Sequence, residues 1–309
     1  MTKVIFFGNE RLVSGLPKTD APILTGLIEN GYEVVAVVSH FSDTQSRNNR
    51  ELEVAAIAKE HNIPLFIPHK PSEIIDELRA FNADIAVLAA YGRIVSQAII
   101  DLFPLGIINI HPSLLPRYRG PTPIESAILN GDDETGVSIM QLSAGMDEGP
   151  VYAQSKIPLN GTESKFELYS RIVEVTNSLF FDTFTHIIDS SIQATPQADK
   201  GISYSHLIHK QDGVIDWSAP AITIDRQIRA YEGWPQSRTT INGLDVIITK
   251  AHVTTGDSRP GTIVVKDGRE LLIRTGQDLI SVDSIKPLGK KEMPIAAFLA
   301  GYKSHLVTN

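Results

Sequence analysis

The chain has 309 residues, 42% of them hydrophobic and 21% charged, with a net charge of −8 and no cysteine. That length supports two domains with cores of their own, the composition is that of a globular chain, and the lack of thiols excludes disulfides and thiolate metal sites. The opening MTKVIFFGNE is too short in apolar residues for a signal segment, and no apolar run approaches the ~18 residues of a membrane span, so a cytoplasmic protein without a membrane partner is expected.

In chain order, KVIFFG (3–8) is a short apolar strand ending in Gly, and PILTGLIENG (22–31) has helical spacing and stops at Gly31. EVVAVVSH (33–40) is a β-branched run of the kind buried on both faces. Then come a helix over 51–62, a short strand over 64–68, and a helix over 72–82 with Ser72 as cap. DIAVLAAYG (84–92) and LGIINIH (105–111) are again buried-type strands, separated by the helix VSQAIIDLF. Repeated βα units with apolar strands predict an α/β, Rossmann-like parallel sheet covered on both faces.

After residue 120 a helix is predicted over 123–131, a hairpin-like pair over 135–142 and 149–159, and a long helix over 164–189. The polar stretch 192–205 is a linker candidate. Beyond it TTINGLDVIITKAHV, GTIVVKDG, ELLIRTGQ and LISVDSIKPLG predict a small all-β domain, sandwich or barrel. The charge is divided unevenly, with a net −10 over 1–205 and +2 over 206–309. An acidic total argues against a large non-specific nucleic-acid surface, so no DNA partner is expected.

Two frequent sheet functions are excluded. The first turn, FFGNERLVSG, lacks the G-x-G-x-x-G fingerprint, and no P-loop occurs, so close backbone approach to a pyrophosphate is not provided for. The histidines are scattered, and His206 and His209 are read as solvent-facing, so no metal is expected.

The segment NIHPSLLPRYRGPTP (109–123) concentrates the chemistry. Asn109 and His111 share one face at the end of a strand, and the carboxyl ends of parallel strands border the ligand crevice. Asp147 lies in the glycine-rich turn SAGMDEGP (143–150), which can return it over the same sheet end. An amide, an imidazole and a carboxylate converging there can stabilise an oxyanion and move a proton. By itself an Asn-x-His strand end is more often just a satisfied polar pair closing a turn.

N-x-H-x-S-L-L-P-x-Y-R-G followed by a D-x-G turn resembles the folate-dependent formyltransferases. AAYGRIVSQAIID (89–101) and GDDETGVSIMQLSAGMDEGPVYAQ (131–154) are similar to the same family. So are IDWS (215–218), IRAYEGWP (228–235), PGTIV (260–264) and LGKKEM (288–293), which match its branch acting on methionyl initiator tRNA. The resemblance implies a formyltransferase domain over 1–191 that uses 10-formyltetrahydrofolate as consumed formyl donor, a linker over 192–205, and an OB-like β-barrel over 206–309 that binds tRNA. It implies a monomer with initiator methionyl-tRNA as partner.

By the same resemblance Asn109, His111 and Asp147 are catalytic. Ser113, Leu114, Leu115 and Pro116, with Ala90, Tyr91 and Gly92, line the folate. Arg47, Arg50 and Arg117 are candidates for tRNA contacts, and Arg119 either braces the loop or faces solvent. The chain departs from the family at its first turn, which lacks the usual Gly-Thr/Ser-Pro, and in the loop FSDTQSRNNREL (41–52), whose only basic residues are Arg47 and Arg50. An amino-sugar-nucleotide formyltransferase, a hydrolase of the same folate and a non-catalytic RNA-binding module compete with this reading. The C-terminal motifs favour tRNA, and a binding module has no need of the catalytic set.

Overall fold

The structure is a computed structural model and describes residues 1–16, 18–40, 52–257 and 259–302. The elements of the first half are β1 (Lys3–Gly8), α1 (Pro22–Glu29), β2 (Glu33–Val38), α2 (Glu53–Glu60), β3 (Leu65–Phe66), α3 (Ile75–Ala80), β4 (Ile85–Ala89), α4 (Gln97–Ile100) and β5 (Ile107–His111). Then follow α5 (Pro123–Asn130), β6 (Glu134–Gln141), β7 (Val151–Pro158) and the long α6 (Lys165–Ile188). The remainder holds α7 (Ala221–Ala230), β8 (Ser237–Ile241), β9 (Leu244–Thr254), β10 (Ile263–Lys266), β11 (Glu270–Arg274), β12 (Leu279–Pro287), β13 (Met293–Pro294) and α8 (Ile295–Gly301). Among the described residues no helix is long and apolar enough to cross a membrane.

The chain forms two compact units. The first comprises Met1–Pro123, Glu134–Pro158 and Tyr169–His206, and the second comprises Ile124–Asp133, Leu159–Leu168 and Leu207–Asn309. In the first, a seven-stranded sheet runs β3-β2-β1-β4-β5-β6-β7. The pairs from β3 through to β5 are parallel, while β6 and β7 continue the sheet antiparallel. The Rossmann-like class expected from the apolar strands is therefore found, with two antiparallel strands added beyond β5. Val4, Ile5, Phe6 and Phe7 are fully buried, as a central strand covered on both faces requires.

The helices are shorter than the periodicity predicts. α4 covers only Gln97–Ile100, and the 72–82 pattern splits into a 3₁₀ turn, Pro71–Ile74, followed by α3. Ser72, expected as a cap, lies inside that 3₁₀ turn.

The second unit carries the antiparallel sheet expected of its alternating segments, in the order β10-β11-β12-β9-β8 with β13 on β12. It also holds α7 and α8, which an all-β reading omits. In AITIDRQIRA, Ala221, Ile224 and Ile228 form one apolar face and join the core with Val246, Ile248, Ile273 and Val282. A polar seam is buried in the same unit. Lys165 Nζ, with no exposed side-chain surface, donates to the Trp234 carbonyl at 3.0 Å and lies 3.7 Å from the buried Glu125 carboxylate.

The departure at the first turn has a structural role. The N-cap of α1, Ala21, is in the left-handed region and offers no side-chain cap. Instead the Glu10 carboxylate accepts the N–H groups of Ile23 at 2.9 Å and Leu24 at 2.8 Å. These are two of the donors every helix start leaves unpaired. Burial pushes the Glu10 carboxyl up to about 7, against the pull of those two backbone hydrogen bonds.

The folded state then holds this proton more tightly than the unfolded chain does. Its stabilising contribution is complete below about pH 4.5 and is lost as pH rises through about 7. At roughly 1.4 kcal/mol per unit, the contribution is about 3 kcal/mol. Denaturant unfolding across this window should show stability falling with pH, and Glu10→Gln should flatten that slope. A slope unchanged by Glu10→Gln would refute the assignment.

Candidate active site

β5 is an interior strand, paired on one side with β4 and on the other with β6. Its alternation places Asn109 and His111 on one face at the carboxyl end, and Pro112 ends the ladder. Both side chains are almost completely buried, with the residues 6% and 4% exposed. A buried imidazole needs partners for both ring nitrogens. Nε2 lies 2.8 Å from the Tyr118 carbonyl. A carbonyl only accepts, so Nε2 carries the hydrogen, and Nδ1 is left facing Asp147 Oδ2 at 3.7 Å.

Asp147 thus returns over the sheet end, as the turn between β6 and β7 allows. Its other oxygen, Oδ1, accepts from Asn109 Nδ2 at 3.4 Å. The carboxylate is held in turn by the Gly120 N–H, 2.8 Å from Oδ2. Gly120 has φ +102°, and a Cβ there would lie 2.9 Å from the Ser205 carbonyl oxygen, so this donor position is reserved for glycine. Asp147 itself has φ +51° and Tyr118 φ +54°, conformations uncommon for residues with side chains. Both occur where the chain turns a polar group inward.

The Ser-Leu-Leu-Pro segment is built on β6. Ser138 Oγ donates to the Ser113 carbonyl at 2.6 Å and accepts from the Leu115 N–H at 3.1 Å. Gln154 on β7 donates through Nε2 to both Ser138 Oγ at 2.8 Å and the Leu115 carbonyl at 2.9 Å. Ser113 is fully buried and spends its own hydroxyl on the Arg117 carbonyl at 2.6 Å, which makes it a brace of the loop. Leu114 packs over Gly136, where a Cβ would meet the Leu114 side chain at 2.5 Å. Leu115 is buried, while Leu114 and Pro116 keep part of their surface exposed.

The other expected residues divide. Ala90, with φ +53°, and Gly92, with φ +66°, shape the turn after β4. The Tyr91 ring instead enters the core, edge-on to Phe7 at 5.4 Å, where burial pushes its phenol up to about 12. Only its backbone is placed on the turn. Ile94, in the same loop, is 90% exposed.

Arg119 is buried and acts as a brace. Its N–H donates to the Ser203 carbonyl at 2.9 Å, and its guanidinium lies 3.3 Å from Tyr204 Oη and 3.5 Å from Glu148 Oε1. The Arg117 guanidinium lies over the Tyr118 ring, 5.2 Å from its centre. Arg47 and Arg50 lie outside the described residues.

Sequence reasoning missed the supporting polar residues. Ser138 had a usable signal, as a polar residue within the apolar run Val137–Met140. Ser203, which accepts the Tyr118 N–H at 2.9 Å, and Ser205, which accepts the Thr122 N–H at 3.0 Å, had none, since they lie some eighty residues from their partners.

Residues 9–184 match the family model described as formyl transferase, and 207–303 match that described as formyl transferase, C-terminal domain. A methionyl-tRNA formyltransferase of Pseudoalteromonas translucida is 36% identical over 299 residues, covering 94% of this chain and 93% of that one. The N-formyltransferase from Helicobacter canadensis, solved with folinic acid and dTDP-3-aminofucose, shares the fold at TM-score 0.70 and 20% identity. That match covers 95% of this chain and 100% of that one. HypX from Aquifex aeolicus, in complex with tetrahydrofolic acid, matches all of this chain at TM-score 0.66 and 17% identity. The chain spans about half the length of that protein, 48%.

Replacing Ser138 by Ala would strand the buried Leu115 N–H and the Ser113 carbonyl. The expected cost is about 1–3 kcal/mol of stability, read by denaturant unfolding. A variant as stable as the parent would show that β6 does not hold this loop.

Proposed function

The chain belongs to the formyl transferase family, and we propose that it transfers the formyl group of 10-formyltetrahydrofolate to the α-amino group of methionyl initiator tRNA. The observation that carries the reading is the interlocked set of Asn109, His111 and Asp147 at the carboxyl end of β5. Family membership and the curated relative supply the reaction class and the acceptor.

The amine adds to the formyl carbon, the bond from that carbon to N10 breaks, and one proton passes from the amine to N10. Charge gathers on the formyl oxygen along the way. The Asn109 amide has two hydrogens, and one points to Asp147 Oδ1, so the second is assigned to that oxygen. A preorganised donor of this kind supplies ~2.7–4 kcal/mol of barrier lowering.

His111 is fixed in orientation by its Nε2–H bond to Tyr118. The nitrogen that exchanges protons is therefore Nδ1, beside Asp147. The Asp147 carboxylate faces that nitrogen and stands as the relay for the amine proton. The chain needs no covalent intermediate for this path.

The pterin is assigned to the wall formed by Leu114, Leu115 and Pro116, together with Ile94 and the backbone of Ala90, Tyr91 and Gly92. The partly exposed Leu114 and the exposed Ile94 offer apolar surface for a flat heterocycle. The Ser113 hydroxyl is already committed within the loop, which gives it a supporting place. We assign formyl transfer to residues 1–191 and tRNA contact to 206–309, joined through 192–205. Arg117, Arg47 and Arg50 are proposed as contacts to the phosphates of the acceptor arm.

The deciding assay measures formyl transfer from 10-formyltetrahydrofolate to methionyl initiator tRNA, with an amino-sugar nucleotide and no acceptor as parallel arms. Transfer to the tRNA is expected, and Asn109→Ala should lower kcat by roughly 100- to 1,000-fold. Transfer only to the sugar nucleotide, or formate release with no acceptor, would overturn the substrate assignment. An Asn109→Ala enzyme of full activity would overturn the site.

A further inference from the structure

We propose that Gln197 is a positioning residue for formyl transfer: its side-chain amide locks the turn carrying Asp147 to Arg119, and so sets the approach of Asp147 to His111. The inference rests on the reading of Asn109, His111 and Asp147 as the reacting groups.

The turn between β6 and β7 is rich in glycine and holds Asp147 at positive φ, so the strand ladder does not fix it. Gln197 does. Its Nε2 donates to the Asp147 carbonyl at 2.7 Å and to the Gly149 carbonyl at 2.8 Å. Its Oε1 accepts from Arg119 Nε at 3.1 Å and Nη2 at 2.9 Å.

Those contacts use the whole capacity of a primary amide, two donors and two lone pairs. They also fix which end is which, because guanidinium only donates and a carbonyl only accepts. Arg119 is a rigid reference point, buried and bonded through its backbone to Ser203 and Ser205. The next residue, Gly120, donates to the Asp147 carboxylate. Asp147 is therefore gripped by its main chain through Gln197 and by its side chain through Gly120, and both grips refer back to Arg119.

The same stretch of chain controls the other partner. Ser203 accepts the Tyr118 N–H, and the Tyr118 carbonyl takes the Nε2–H of His111. Upstream, Thr195 exchanges two backbone hydrogen bonds with Val151, each of 2.8 Å. Residues 195–205 thus form a strap that reaches both members of the His–Asp pair through backbone groups. A segment that only connected two domains would need no such bonds.

Gln197→Glu separates the two duties of the amide. A glutamate keeps the acceptor for Arg119 but sets an oxygen against two carbonyl oxygens, so the turn loses its restraint. Gln197→Ala removes both contacts without that repulsion. The full-length chain and its Gln197→Glu, Gln197→Ala and Asp147→Asn variants would be compared in kcat, KM for 10-formyltetrahydrofolate, pH–rate profile and thermal unfolding.

Expected for Gln197→Glu is a kcat lower by about 10- to 100-fold, a KM for the folate within about twofold, and a changed pH–rate profile on a folded protein. Gln197→Ala should change in the same sense by less. Parental kcat in both Gln197 variants beside an inactive Asp147→Asn overturns the inference and leaves the site reading standing. A kcat loss that merely follows the unfolded fraction also overturns it. A fully active Asp147→Asn overturns the site reading, and the inference with it.

Discussion

The structure around the site follows from one constraint: the imidazole of a histidine buried at the end of an interior strand must be placed among polar groups of the chain. β5 brings His111 to a position 4% exposed, and neither nitrogen can rely on water. The chain meets the demand by folding back on itself. Seven residues on, the Tyr118 carbonyl receives the Nε2–H, and the turn after β6 delivers Asp147 to Nδ1. Each return forces an uncommon backbone conformation, at Tyr118 and at Asp147, and Gly120 between them answers a donor position no other residue fits. The prolines at 112, 116, 121 and 123 suit this loop, because its path is set by carbonyl and amide placement rather than by a ladder.

The sheet gives that local knot its support. Five parallel strands alone would end at β5, leaving Asn109 and His111 on an edge. The antiparallel additions β6 and β7 make β5 interior and supply Ser138 and Gln154, which pin the leucine segment beside the histidine. Gly136 on β6 lets Leu114 lie close to the strand. The apolar leucine segment thus follows directly on the Asn-His strand end, with β6 as common floor, and the turn after β6 adds Asp147.

The strands and the meeting of Asn109, His111 and Asp147 were legible in the sequence because both depend on short-range rules. Buried β-branched runs imply a covered sheet, period-two alternation puts Asn109 beside His111, and a Gly-rich turn between paired strands returns Asp147. Where the Tyr91 ring goes was not legible, because a loop position says nothing about where a ring can find room, and the Phe7 edge offered it. α7 was overlooked because Thr223, Asp225, Arg226 and Arg229 mask an apolar face of only a few residues. Ser203 and Gln197 were beyond reach, since their partners are met through tertiary folding and their own neighbourhood is a featureless polar stretch.

The second unit repeats the lesson with opposite emphasis. The stretch IRAYEGWP carries part of the family resemblance, and some of it is internal architecture. The Trp234 carbonyl and the Glu232 carboxylate face the first turn of α6, accepting from Lys165 Nζ and from the Phe166 N–H at 3.2 Å. Burial drives the Lys165 ammonium down and the Glu125 carboxyl up, and each partly restores the other's charge. Such a pair contributes little net stability, because the cost of removing two ions from water consumes most of their attraction. What it does supply is geometry: an ammonium in an apolar setting accepts few arrangements of its oxygen partners. The 231–235 turn, α5 and the start of α6 are thereby fixed against one another. A motif can thus mark a family because it holds the unit together, before any of its residues meets a substrate.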